Sequence, residues 1–98
     1  MRKPAEVLEL ALATLDEHTD SCYMCCHLDW LHVQEYISEQ ECLDTRRVVR
    51  KSIDFRTTLR GYLADKGIVP RGVFSQDAKY RPHMVKFYTN LIATLKQE

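Results

Sequence analysis

Apolar residues recur every three and four positions along nearly the whole chain, and nowhere do they alternate with polar ones as a half-buried strand requires. Three glycines and three prolines in 98 residues leave few places where that rhythm can break. The pattern predicts an all-α protein, a compact bundle of four to five helices. The chain is long enough for one hydrophobic core and too short for two, so residues 1–98 are expected to form a single helical domain.

From Pro4, a natural first-turn residue, Leu8, Ala11, Leu12 and Leu15 give a first helix one apolar stripe, widened by Val7 and Leu10. The polar run 17–21 interrupts it, and Asp20 or Ser21 can cap a second helix. That helix is predicted over about 21–36. Tyr23, Cys26, Trp30, Val33 and Ile37 form one stripe on it, and Met24, Leu28 and Leu31 a second. A helix apolar on two sides belongs at the centre of a bundle, with His27 and Gln34 on a narrow polar strip between.

Ser38 followed by Glu41 is a capping box, and Ile37 with Cys42 can close a hydrophobic staple across it. From there Val48, Val49, Phe55, Leu59, Tyr62 and Leu63 allow one long helix over about 38–65, although Asp54 could cap a fresh one. Lys66-Gly67-Ile68, with Pro70 beyond, marks its end, with Ile68 as the apolar partner of the stop. Residues 67–80 read as an ordered connecting loop pinned by Val69, Val73 and Phe74. A last helix begins between Ser75 and Pro82 and carries Met84, Phe87, Tyr88, Leu91, Ile92 and Leu95.

The charges are sorted along the chain. Residues 1–45 hold ten acidic and two basic side chains, a net of −8, and residues 46–98 hold twelve basic and four acidic, a net of +8. Arg46, Arg47, Arg50, Lys51, Arg56 and Arg60 fall in one helical stretch, and Tyr62, Lys79, Tyr80 and Arg81 can extend their face. Guanidinium groups grip carboxylates and phosphates in a bidentate fork, so this set points to an anionic protein surface or an anionic nucleotide. Two other readings compete. The arginines can pair with the chain's own acids, Asp44 with Arg47 among them, or the acidic and basic surfaces of two copies can pair in a homo-oligomer. Nucleic acid is the less favoured partner, because binders of this size usually carry a net basic charge.

His18, Cys22, Cys25 and Cys26 crowd one region and could supply a zinc half-site. Cys42 is expected opposite Val33, too far along the helix axis to complete it. Cysteine nucleophiles would need a histidine and an orienting group. Cys22 with His18, or Cys25 with Asp29, meets the spacing alone, and there is no Gly-rich phosphate loop. No enzymatic activity and no cofactor are expected. The chain has no apolar run near the roughly 20 residues of a membrane span and no signal-peptide core, and reduced thiols fit the cytosol.

Tyr23-Met24-Cys25-Cys26-His27-Leu28, then Tyr36-Ile37-Ser38-Glu39, then Ile53 and Thr57-Thr58-Leu59-Arg60-Gly61-Tyr62-Leu63 resemble a type of small accessory protein of tailed bacteriophages. The similarity runs over about residues 20–95 and closes with a helix like 81–95. It rests on caps and core positions, so it carries no catalytic residue. What it implies is a protein made in the bacterial host cytoplasm that binds and disables a host or anti-phage defence factor, or sequesters a signal.

Overall fold

The computed structural model describes residues 1–17, 24–72 and 80–97. It is all-α, with five helices and no strand among those residues: α1 Pro4–Ala13, α2 Met24–Val33, α3 Glu39–Ser52, α4 Leu59–Asp65 and α5 Arg81–Lys96, plus a 3-10 turn Leu15–Glu17 after α1.

The centre of the bundle is α1 rather than the second helix. Ala5 and Ala11 keep its surface low enough for neighbours to approach, and it packs on α2, α3 and α5. Val7, Leu8 and Ala11 are fully buried, and Leu15 in the following turn is nearly so. On α2 one of the two expected stripes goes inside. Met24, Leu28 and Leu31 are buried, while Cys26 is exposed, Trp30 half-buried and Val33 74% exposed. His27, expected near water, is 0% exposed and joins the buried stripe at the spacing of one helical face. One of its ring nitrogens is partnered locally. The Thr14 hydroxyl donates to Leu10 O at 2.8 Å, and the same oxygen lies in hydrogen-bond contact with His27 Nε2 at 3.0 Å. The His27 ring stacks on Trp30 with centroids 5.4 Å apart.

The second helix stops at Val33, short of Tyr36. Glu35 adopts a left-handed conformation with φ of 64°, so that Tyr36 N–H reaches Leu31 O and Glu35 N–H reaches His32 O. These are the two bonds of a Schellman stop, made without glycine. The expected start of that helix, with Asp20, Ser21 and Tyr23, falls outside the described residues.

The start of α3 follows the sequence closely. Ser38 Oγ accepts from Glu41 N–H at 3.1 Å and Ser38 N–H donates to Glu41 Oε1 at 2.8 Å, while Ile37 and Cys42 are both buried across the cap. The helix is not continuous to residue 65. It ends at Ser52, where Asp54 (φ 55°) and Phe55 (φ 60°) are both left-handed, Asp54 N–H bonds Lys51 O and Phe55 N–H bonds Arg50 O. A fresh helix, α4, is capped by Thr58 and not by Asp54: Thr58 Oγ1 accepts from Gly61 N–H at 3.0 Å. The stop at Gly67 (φ 74°) is as expected, with Gly67 N–H on Ala64 O and Ile68 N–H on Leu63 O. Ile68 is 52% exposed, however, and the next residue, Val69, is the one tucked into the core. Of the connecting loop, Val73, Phe74 and the rest of 73–79 lie outside the described residues.

Glu41 also anchors the N-terminal segment. Its buried Oε2 accepts Arg2 N–H at 2.8 Å, and the Arg2 guanidinium donates to Tyr36 O at 3.2 Å. The Ser38 and Arg2 backbone donors, in that order of effect, hold the carboxyl below the ordinary glutamate value against the opposing effect of burial. A depressed folded-state value means that this stabilisation is complete above the unfolded-state value, about 4.3, and is lost as pH falls through the folded one. Glu41→Gln should therefore destabilise the protein at pH 7 and flatten its loss of stability in that acid range, as measured by urea titrations at a series of pH values.

Candidate functional site

The exposed side of α3 repeats at helical spacing, with Leu43, then Arg46 and Arg47, then Arg50. Together with Phe55 from the break after the helix they line an open groove. Leu43 is 47% and Phe55 65% exposed, so the groove presents apolar surface beside its guanidinium groups. The chain holds Phe55 there at a cost. Two successive non-glycine residues in the left-handed region cost of order 1–3 kcal/mol each, and the second is a bulky aromatic facing solvent.

The three arginines of the groove differ. Arg46 is fixed, donating to Asp29 Oδ1 on α2 at 2.9 Å. Arg47 reaches Asp44 only at 3.9 Å and stays largely exposed. Arg50 and Lys51 are exposed and make no ion pair among the described residues. Arg46 thus forms the wall, Arg47 is held loosely by Asp44, and Arg50 is the groove arginine without an ion pair among the described residues.

The break after Ser52 divides the expected basic series. Arg56 binds Asp65 Oδ2 at 2.6 Å, and Arg71 binds the other oxygen of the same carboxylate at 2.7 Å. Arg60 lines a separate, smaller recess with Gly61, Ala64, Pro70, Arg71 and Gly72. Tyr62 packs edge-on against Phe87 with the Lys66 ammonium 5.4 Å from its ring centre. Tyr80 is 1% exposed, a core residue and not part of any surface. Arg81 is ion-paired with Asp16 after α1, and Lys96 with Glu9. Lys79 lies outside the described residues. Internal pairing therefore takes up Arg46, Arg56 and Arg81, engages Arg47 only loosely, and leaves Arg50 and Lys51 exposed on α3.

Sequence reasoning missed Leu43 and Phe55 as parts of this site. Leu43 carried a signal, since it stands three and four residues before Arg46 and Arg47. Phe55 carried none, because an unbroken helix would turn it inward with the other apolar positions.

Among the described residues no group of three or more His, Cys, Asp or Glu is placed to hold a metal. Cys25 is half-buried beside Arg46, and Cys26 is exposed. His18 and Cys22 lie outside the described residues. Cys42 sits deeper than expected, its thiol 3.7 Å from both Leu28 O and Asp29 Oδ1, because the turn after Val33 slides α3 back along α2. Burial raises the Cys25 thiol, with Arg46 opposing, and burial together with Asp29 raises that of Cys42. Raised thiols are poor nucleophiles. No helix of the described residues is long and apolar enough to cross a membrane.

Compared with protein-family models, with curated proteins and with solved structures, the chain matches none.

The strain at Phe55 can be tested apart from any ligand. Glycine accepts φ of 60° freely, and an exposed ring has little burial to lose, so Phe55→Gly should keep the unfolding free energy within about 1 kcal/mol of wild type. Phe55→Val, β-branched in the same conformation, should lose about 1–2 kcal/mol or more. Denaturant titration of the three proteins checks both.

Proposed function

We propose that the protein is a non-enzymatic binding module that takes an acidic protein surface into the α3 groove. The observation that carries this reading is a groove lined by exposed Leu43 and Phe55 together with Arg46, Arg47 and Arg50, with Phe55 held out by strained backbone. Arginine and large aromatic side chains are the residues that most often dominate protein interfaces. A groove open along a helix suits a partner's ridge of alternating carboxylates and apolar side chains better than an enclosed small molecule. In the setting that the phage resemblance implies, a bacterial host cytoplasm, such a module would act by covering a surface of a host or anti-phage defence protein.

A second reading has its own observation. An exposed aromatic ring beside two exposed cations can stack a base while the arginines hold phosphate, so sequestration of an anionic nucleotide follows from the same residues. Nucleic acid is a weaker match, because the acidic Glu35 and Glu39 stand just before and at the start of α3 and would repel a continuing phosphate backbone.

The test compares three labelled probes by fluorescence anisotropy at low and high salt: a helical peptide alternating Glu and Leu, a cyclic dinucleotide, and a short DNA duplex. The peptide should bind best and more weakly as salt rises. Arg47→Glu with Arg50→Glu should reduce that binding at least tenfold, about 1.4 kcal/mol, with the fold intact, since neither side chain holds a core contact. Tighter binding of the nucleotide would replace the first reading by the second, and indifference to the double substitution would overturn both.

A further inference from the structure

The same face of α3 carries opposite charges at its two ends. Glu39 opens the helix, Leu43 follows four residues later, Arg47 four residues after that, and then Arg50 and Lys51. At 100° per residue, Glu39, Leu43, Arg47 and Arg50 stay within about 80° of one another. All are exposed, and neither Glu39 nor Glu35 just before the helix makes an ion pair among the described residues. Apolar surface lies beyond both ends. Val33 and the 47% exposed Tyr36 precede the acidic end, where they line a shallow recess with Glu35 and Glu39, and Phe55 follows the basic end.

A face with this order is complementary to its own reverse. Turned about a two-fold axis through Leu43, Glu39 of one chain comes opposite Arg47 of a second copy, because each stands four residues, about 6 Å of helical rise, from the axis. The operation repeats the contact on the other side. The acidic turn with Tyr36 and Glu35 then meets the basic end with Lys51 and Phe55. A parallel pairing would oppose like charges at every level, so only the antiparallel arrangement satisfies the face.

We propose that the free protein is an antiparallel homodimer through α3, with Leu43 against its symmetry mate and Glu39 paired with Arg47 of the second copy. The dimer covers the groove of the proposed function, and an acidic partner must displace one chain from the other to reach Arg47 and Arg50. The inference thus rests on the same groove while naming a different occupant.

Sedimentation or light scattering over a concentration series, at low and high salt, reads the mass directly. The expected result is a dimer of twice the 11.5 kDa chain mass that dissociates as salt rises. Glu39→Arg and Arg47→Glu should each weaken it roughly tenfold or more, because symmetry converts one substitution into two like-charge contacts. Mixed together, the two variants restore both opposite-charge pairs and should form a heterodimer, with circular dichroism confirming that each folds. A monomer at all concentrations, a dimer indifferent to both substitutions, or a mixture that stays monomeric would overturn the proposal. Peptide binding by a monomeric protein would overturn the dimer alone and leave the groove reading standing. A salt-sensitive dimer that binds no anionic probe would do the reverse.

Discussion

Three parts of the chain meet at the carboxylate of Glu41. It accepts the backbone N–H of Ser38 through one oxygen and that of Arg2 through the other, and the Arg2 guanidinium spans from it to the Tyr36 carbonyl. The N-terminal segment leading into α1, the turn closing α2 and the first turn of α3 are thereby fixed relative to one another. The rotation of α3 about its own axis is set by the same contacts. With Glu41, Cys42, Thr45 and Val49 turned inward, Leu43, Arg47 and Arg50 are turned outward and exposed.

Given that rotation, the distribution of charge becomes a surface property. The acidic half of the chain contributes Asp29, Asp16, Glu9 and Glu41 to pairs with Arg46, Arg81, Lys96 and Arg2. Those pairs join elements distant in sequence, and most are partly exposed, so each contributes modestly. Among the charges in none of these pairs, Glu39 stands at the start of α3 and Arg50 and Lys51 towards its end, so the helix is acidic first and basic last. This order also opposes the helix macrodipole at each terminus, which stabilises α3 as an element. The same residues therefore serve the helix and remain available to a partner.

How much of this was legible depended on glycine. Three helices end in the same pair of bonds, with the residue past the cap left-handed: Glu35 after α2, Asp54 after α3 and Gly67 after α4. Only the last announces itself in the sequence, and only its stop was placed correctly. The two silent ones had large consequences. The unmarked turn at Glu35 shortened the second helix and set Cys42 beside Asp29. The turn at Asp54 divided the long helix, separated Arg56 and Arg60 from the groove and brought Phe55 out of the core. Capping by Ser38 and Glu41 was legible because it is written in side chains. The choice of α1 as the central helix was not, since it rests on Ala5 and Ala11 allowing three neighbours close, which periodicity does not register. His27 likewise read as polar until Thr14 was brought against it.

The central claim is that the open centre of α3, with Phe55 displayed beside it, is where this protein meets its partner. Amide chemical-shift mapping with the Glu and Leu peptide tests it most directly. The largest shifts should cluster at Leu43, Arg47, Arg50 and Phe55, with those of Arg60, Arg81 and the α5 amides little changed. Shifts centred on α4 and α5, or none along α3, would contradict the claim.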